Sequence, residues 1–210
     1  MVKAILFDFW GTLVETGVRS PLKQLKDILH IDLPFSDYVI RVERAMMTRS
    51  FSELREAFLA VAQEFDVPCA EEQLEQLIGM WNKSWMFARP YAEVRDVLQE
   101  LQGKYLVILV SNTDSFSVPR VVEKWKLEPF FTAKYFSFET GLLKHDVELF
   151  QKIFADHQLL PQDCMMVGDS IESDMRAAQQ AGMACVLIDP RNMREFQPKI
   201  KNLLQLERVL

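Results

Sequence analysis

Four polar stations interrupt the apolar runs of this chain, and each carries residue types able to do chemistry. Asp8 follows Ile5-Leu6-Phe7 and precedes a Gly11-Thr12 turn. Ser111-Asn112 follows the run from Tyr105 to Val110. Lys144 lies within Gly141-Leu142-Leu143-Lys144-His145-Asp146. Gly168-Asp169-Ser170 closes a further apolar stretch, with Asp174 one helical turn on. A carboxylate at the end of a buried run is a candidate nucleophile. Carboxylates brought together repel and shift one another's pKa unless a cation sits between them. Oxygen ligands of this kind suit Mg²⁺, which keeps waters and accepts a substrate phosphate oxygen. Lys144 would add a second positive charge and Ser111 a hydroxyl donor. Phosphoryl transfer asks a protein mainly for such positioning and charge stabilisation. Asp8 would then attack in line and carry an aspartyl-phosphate.

The elements that must position these stations fall into three parts. A short buried strand spans about 3–8, a helical stretch covers roughly 18–88, and strands then alternate with helices to the end. Ser20-Pro21 reads as an N-cap with proline in the first turn, followed by Leu22, Leu25 and Leu29. Pro34 to Thr48 carries Val39, Val42 and Met46 at helical spacing. Ser50-Phe51-Ser52-Glu53 reads as a capping box before Leu54, Phe58, Val61 and Phe65. Leu74, Leu77, Ile78, Trp81 and Trp85 make a fourth stripe. Four amphipathic helices joined by short links imply a small bundle. After Pro90 the pattern predicts helices near 91–102, 117–127, 146–157 and 171–181. Strands are predicted at 105–110, 133–138, 164–168 and 184–188. This alternation implies an α/β fold, a doubly wound parallel sheet with an inserted helical bundle. Such sheets bind ligands at the carboxyl ends of their strands. The expected domains are a core of 1–14 with 89–210 and an inserted bundle of 15–88.

Bulk properties narrow the partners. The chain has 210 residues, 49% hydrophobic and 26% charged, the balance of a globular protein. Its net charge of -6 argues against nucleic acid, which needs a basic face. Cys69, Cys164 and Cys185 are few, odd in number and widely spaced, as free thiols of a reducing compartment are. No apolar stretch approaches the length of a membrane span. The expectation is a cytoplasmic protein acting on a small molecule, with no nucleic-acid or membrane partner.

The four stations, in this order and around an insert of this size, resemble the motifs of the haloacid dehalogenase superfamily, and the likeness covers essentially the whole chain. It implies a helical C1-type cap over residues 15–88. It also implies Asp8 as nucleophile and metal ligand, with Asp169 as a direct ligand of Mg²⁺ and Asp174 supporting from behind. The Trp10 backbone carbonyl would complete the metal's protein ligands. Phe9, Trp10, Gly11, Ser111, Asn112 and Lys144 would hold the phosphate. The family commonly has proline after the lysine; here His145 stands there and reads as a surface residue.

The departure that matters is Trp10. Phosphatases of this superfamily carry a second aspartate at that place, which protonates the leaving oxygen and later activates water. Its dehalogenases carry an aromatic residue. Indole donates one N–H and cannot exchange a proton usefully. The resemblance therefore supports a Mg²⁺-dependent phosphatase of small organic phosphates, with its acid borrowed from the cap or substrate. The alternatives are a 2-haloacid dehalogenase, in which Arg41 would hold the haloacid carboxylate, and a catalytically weak phosphate- or partner-binding protein. Arg41 reads more readily as a solvated helix face. Arg44, Trp81 and Trp85 are further candidates on the cap, the two tryptophans, on one helical face, reading more readily as its core.

Overall fold

The computed structural model describes residues 2–210. Its organising strand is β1 (Ala4–Phe7), central in a six-stranded sheet whose neighbours all run parallel. A short β2 (Val14–Glu15) follows β1. Next come α1 (Pro21–Ile28), α2 (Phe35–Met46), α3 (Leu54–Glu64) and α4 (Glu71–Met86). The chain returns through β3 (Arg89–Pro90) and α5 (Val94–Gln102) to β4 (Leu106–Ser111), α6 (Val118–Lys124) and β5 (Ala133–Phe136). A single turn, α7 (Ser137–Thr140), and then α8 (Val147–His157) lead to β6 (Cys164–Gly168). A π-helical turn at Ile171–Met175 runs into α9 (Arg176–Gln180). The sheet is completed by β7 (Ala184–Ile188) and β8 (Lys199–Ile200).

Sheet order is β5-β4-β1-β6-β7-β8. Strand order reverses at β1, which pairs with β4 on one side and β6 on the other. Phe7 stands opposite both Leu109 and Val167. This register sets Asp8, Ser111-Asn112 and Gly168-Asp169 side by side at one edge. It is the switch point at which open α/β sheets bind ligands.

Strand alternation divides the sheet's apolar residues between two cores. Ile5, Phe7, Val107, Leu109, Val167 and Val186 pack with α5 and α6 on one face. Ala4, Leu6, Ile108, Val110, Met166 and Leu187 pack with α8 and α9 on the other. Buried on both faces, such strands read as continuous apolar runs, which is why the sequence announces them. The four helices α1–α4 bury a third core of their own, including Leu25, Tyr38, Val42, Phe58, Val61, Leu77 and Trp81. The chain enters and leaves this bundle through β2 and β3, which pair antiparallel with Val14 opposite Pro90 and Glu15 opposite Arg89.

Several local expectations need correction. Ser20 precedes α1 in a left-handed conformation (φ 46°) and its hydroxyl caps nothing. The expected box at Ser50–Glu53 is displaced: the Ser52 N–H donates to Glu56 Oε2 at 3.0 Å. The helix expected over 171–181 is split by the π turn. The strand expected over 133–138 ends at Phe136, where α7 begins. Cys69, Cys164 and Cys185 are free, as expected. Among the described residues, no helix is long and apolar enough to cross a membrane.

Candidate active site

Asp8 leaves β1 with its N–H donated to the Val167 carbonyl (2.9 Å), which ties it to β6. Its carboxylate accepts from Lys144 Nζ at Oδ1 (2.6 Å) and from the Thr12 hydroxyl at Oδ2 (3.0 Å). Lys144 Nζ also donates to Asp174 Oδ1 at 2.5 Å. Asp174 Oδ2 in turn accepts the Ser170 N–H at 3.0 Å. All three charged side chains are buried. Asp8, Asp169 and Asp174 each bring a carboxylate oxygen into one cluster whose atoms lie within 4.8 Å of one another.

Two glycines make this convergence possible. Gly11 has φ +77°, and a Cβ there would lie 2.5 Å from Asp169 Oδ2. At Gly168 a Cβ would lie 2.2 Å from Asp174 Oδ2. The π turn then places Asp174 so that its side chain reaches back to its own first turn; such turns are frequent at functional sites.

Charge is not balanced in the buried part of the site: three carboxylates face the Lys144 ammonium, and the half-exposed Arg194 guanidinium reaches only Asp169, at 3.7 Å from Oδ2. Burial raises Asp8 to a pKa of about 6, against the pull of Lys144 and with the help of the Asp174 charge. Burial and then the Asp8 charge raise Asp169 to about 6. Asp174 is also raised, by burial. Burial opposes the Lys144 ammonium, but Asp174 and Asp8 outweigh it and hold that pKa above the ordinary lysine value. A divalent cation fits such an all-oxygen set, since it supplies the missing positive charge. Among the described residues no hydrogen bond reaches the Trp10 carbonyl, so that oxygen is also free to ligate.

A cavity of about 360 Å³ opens over the cluster between sheet edge and bundle. The sheet edge contributes Asp8, Lys144, Asp169 and Asp174 as its floor, and the bundle contributes Val39, Glu43 and Met47 to its wall. Trp10 lies on its margin, its ring edge-on to Phe9 with centroids 5.0 Å apart. Asn112 joins floor to wall. Its Oδ1 accepts the Lys144 N–H (2.9 Å) and its Nδ2 donates to Glu43 Oε2 (2.8 Å).

Other expected site residues are placed differently. Ser111 is buried at the end of β4 and is not on the cavity surface, where Asn112 and Thr113 stand instead. The Gly11 N–H donates to the Val14 carbonyl (2.8 Å) and is not free for phosphate. Phe9 has its side chain wholly in the core. Arg41 turns away from the cavity: it pairs with Glu64 (Nε to Oε1, 2.7 Å) and lies over the Phe65 ring. On a helix two residues are about 200° apart, so the face that sends Val39 and Glu43 inward sends Arg41 outward. Arg44 grips Asp146 through both guanidinium nitrogens (2.7 Å each), clamping α2 to the loop that carries Lys144. Trp81 borders the cavity and donates to Asp114 Oδ2 (2.9 Å), whereas Trp85 bonds Asn82 within its own helix. His145 is half-buried, not a surface residue, and its Nδ1 has no partner among the described residues.

Sequence reasoning missed Glu43. A carboxylate beside Val42 in an apolar helical stripe was the available signal. Burial raises its pKa to about 7, against Lys144 and the Asn112 hydrogen bond.

A parallel-sheet scaffold with carboxylates and a lysine gathered at its switch point defines an α/β enzyme of the hydrolase type. The haloacid dehalogenase-like hydrolase family model matches residues 2–182, and the chain belongs to that family of hydrolases. Among its relatives, the D-ribitol-5-phosphate phosphatase of Bacteroides thetaiotaomicron is 25% identical, over 97% of this chain and 99% of its own. A glyceraldehyde 3-phosphate phosphatase of Methanothermobacter thermautotrophicus is 23% identical over 90% of this chain and 86% of its own. The fold is shared with the putative hydrolase YfnB of Bacillus subtilis, a magnesium-bound structure showing interdomain movement (TM-score 0.70, 21% identity, 100% and 98% of the two chains). It is shared equally with a 2-haloacid dehalogenase of Pseudomonas syringae (TM-score 0.66, 19% identity, 100% and 98%).

Proposed function

We propose that this hydrolase is a Mg²⁺-dependent phosphatase of small organic phosphates, working through an aspartyl-phosphate at Asp8. The observation that carries the reading is the cluster of Asp8, Asp169 and Asp174 within 4.8 Å, bridged by Lys144 at 2.6 and 2.5 Å. A halide leaves without metal help, so a dehalogenase has no use for this concentration of negative charge. Its expected carboxylate holder, Arg41, is engaged with Glu64 outside the cavity. Relatives named as phosphatases point the same way.

In this reading Asp8, Asp169 and the Trp10 carbonyl would hold the metal, with Asp174 behind them. The bound ion would neutralise phosphate oxygens and orient the phosphorus toward Asp8. Lys144 holds the Asp8 carboxylate ionised and fixed in rotation, so that one oxygen is presented in line with the P–O bond that breaks. Asn112 fixes the Lys144 backbone. Residues 15–88 act as a cap of the C1 helical type that excludes water while substrate is bound. The enzyme works in the cytoplasm, where its three thiols stay reduced.

The test is p-nitrophenyl phosphate hydrolysis with Mg²⁺ or EDTA, beside halide release from 2-chloropropionate. Hydrolysis that requires Mg²⁺ and vanishes in Asp8→Asn is the expected result. Halide release that persists in EDTA would replace this reading by dehalogenation.

A further inference from the structure

We propose that Glu43, on the bundle helix α2, is the proton donor and acceptor of the reaction, in place of the acid that Trp10 displaces. The inference rests on the phosphatase reading and adds a residue to it.

Several independent observations converge. An in-line displacement expels the leaving oxygen on the side opposite the nucleophile. Asp8 lines the cavity from the sheet edge, and the bundle's wall of the same cavity is built from α1, α2 and α4. Glu43 is the one carboxylate the bundle contributes to that wall among the described residues. The other cavity carboxylates are engaged. Asp8 is bound by Lys144 and Thr12, and Asp174 by Lys144 and Ser170. Asp114 accepts from Trp81, from the Phe116 N–H and from Ser117. Asp169 belongs to the proposed metal set. Glu43 accepts a single hydrogen bond, from Asn112 at Oε2, which leaves Oε1 free. That bond positions it: Asn112 is held in turn by the Lys144 N–H, and α2 is clamped one residue on by Arg44 to Asp146.

The environment suits acid–base work near neutrality. Val39 and Met47 flank Glu43 on the cavity wall, and burial holds its carboxyl at a pKa of about 7. Lys144 faces it and favours ionisation, whereas Asp8 and Asp174 oppose it. Arg44 beside it is neutralised by Asp146. Glu43 also borders a second cavity of about 540 Å³, shared with Asp37, His145, Glu172 and Arg176, through which its proton can exchange. A general acid–base group works best with a pKa near the operating pH.

The proton balance closes over one turnover. As an Asp8 oxygen bonds to phosphorus and the bond to the leaving oxygen breaks, the protonated Glu43 gives that oxygen its proton, releasing an alcohol. The Glu43 carboxylate then takes a proton from water. The water oxygen attacks phosphorus and the bond to Asp8 breaks, leaving inorganic phosphate, ionised Asp8 and protonated Glu43.

Glu43→Gln separates this role from a structural one, because the amide keeps the size and its oxygen can still accept from Asn112. Alkyl-phosphate turnover should fall about 10²–10⁴-fold. With p-nitrophenyl phosphate, whose leaving group needs no proton, the variant should release a burst of one nitrophenolate per enzyme and then slow. The burst marks an aspartyl-phosphate formed normally and hydrolysed poorly. Trp10→Asp in the same background should recover part of the alkyl-phosphate rate. Equal losses on alkyl and aryl substrates without a burst, or no loss at all, would overturn the role of Glu43. Native aryl-phosphate turnover that requires Mg²⁺ and Asp8 keeps the phosphatase reading standing in that event. Its absence would overturn both. A melting curve on the variant identifies unfolding, and a misfolded variant passes the question to the native enzyme's leaving-group series. There, alkyl rates that fall as pH rises through 7 while aryl rates do not would support Glu43, and parallel profiles would overturn it.

Discussion

Replacing Lys144 by methionine tests the electrostatics of the site directly. Methionine matches the length of the stem and leaves no charge. In the native protein the ammonium lies 2.6 Å from Asp8 Oδ1 and 2.5 Å from Asp174 Oδ1, with all three side chains less than a tenth exposed. Removing one partner from a buried ion pair costs about 3–5 kcal/mol, chiefly because the charges left behind have neither water nor partner. Here two carboxylates are left. The deficit must therefore depend on pH. Asp8 sits at about 6 even with Lys144 beside it, and losing the cation moves both acids further up. A carboxylate whose folded pKa exceeds its unfolded value binds more protons when folded. Its contribution is intact below the unfolded pKa, near 4, and is lost as pH rises through the folded one. Lys144→Met should thus lose about 3–5 kcal/mol at pH 8 in EDTA and much less at pH 5. In a chain of this size that is a fall in Tm of roughly 6–20 °C. Urea unfolding at both pH values measures it, and Mg²⁺ at pH 8 should restore part of the loss. A deficit below about 1 kcal/mol at pH 8, or one that is equal at pH 5, would refute the reasoning.

Two further substitutions follow from the same geometry. Glu43→Gln should stabilise the metal-free protein: its carboxyl is displaced from 4.5 to about 7 by burial, worth about 3 kcal/mol once both states are ionised. The gain should be absent below pH 4.5, grow between 4.5 and 7, and stay level above; a pH-independent difference between the two urea curves would refute it. Gly168→Ala should weaken Mg²⁺ affinity by roughly 10–100-fold, as losses of groups that support metal ligands do. The added methyl falls on the Asp174 carboxylate, which Lys144 and the Ser170 N–H hold in place. Titration calorimetry returning native affinity would show that Asp174 can move aside.

The chain exposed its architecture through residues whose burial is complete on both sides. Strands such as Leu106–Ser111 and Cys164–Gly168 have no solvent face, so their apolar runs needed no interpretation. The bundle helices carried stripes at helical spacing and were equally plain. The paired dipeptides Val14–Glu15 and Arg89–Pro90 were not visible, because two residues have no periodicity and their pairing is made by the fold. Lys199–Ile200 was missed for the same reason. At the site, Asp8 and Asp169 were legible because each follows an apolar strand, whereas Lys144, in the loop before α8, and Asp174, in the π turn, were marked by the resemblance. The bundle's contribution was misjudged. Arg41 drew notice for its charge, but which face α2 turns inward is fixed by how Tyr38, Val42 and Met46 dock in the bundle core. That docking aims Glu43, not Arg41, at the cavity.

The paired dipeptides have a consequence for how such a protein can change over evolutionary time. Because Val14 stands opposite Pro90, the whole excursion from 16 to 88 begins and ends at one point of the surface. Closing the loop is accomplished by the ribbon itself, so the length and shape of what lies beyond it scarcely weigh on the sheet. A different bundle could be seated on the same two-residue ribbon without moving the register that aligns Asp8, Asn112 and Asp169. Substrate preference can then drift while the charged floor stays fixed. Three contacts are exceptions: Asn112 reaches from that floor to Glu43, Asp146 holds Arg44, and Asp114 accepts from Trp81, so an exchanged bundle would carry away partners that the core is built to hold.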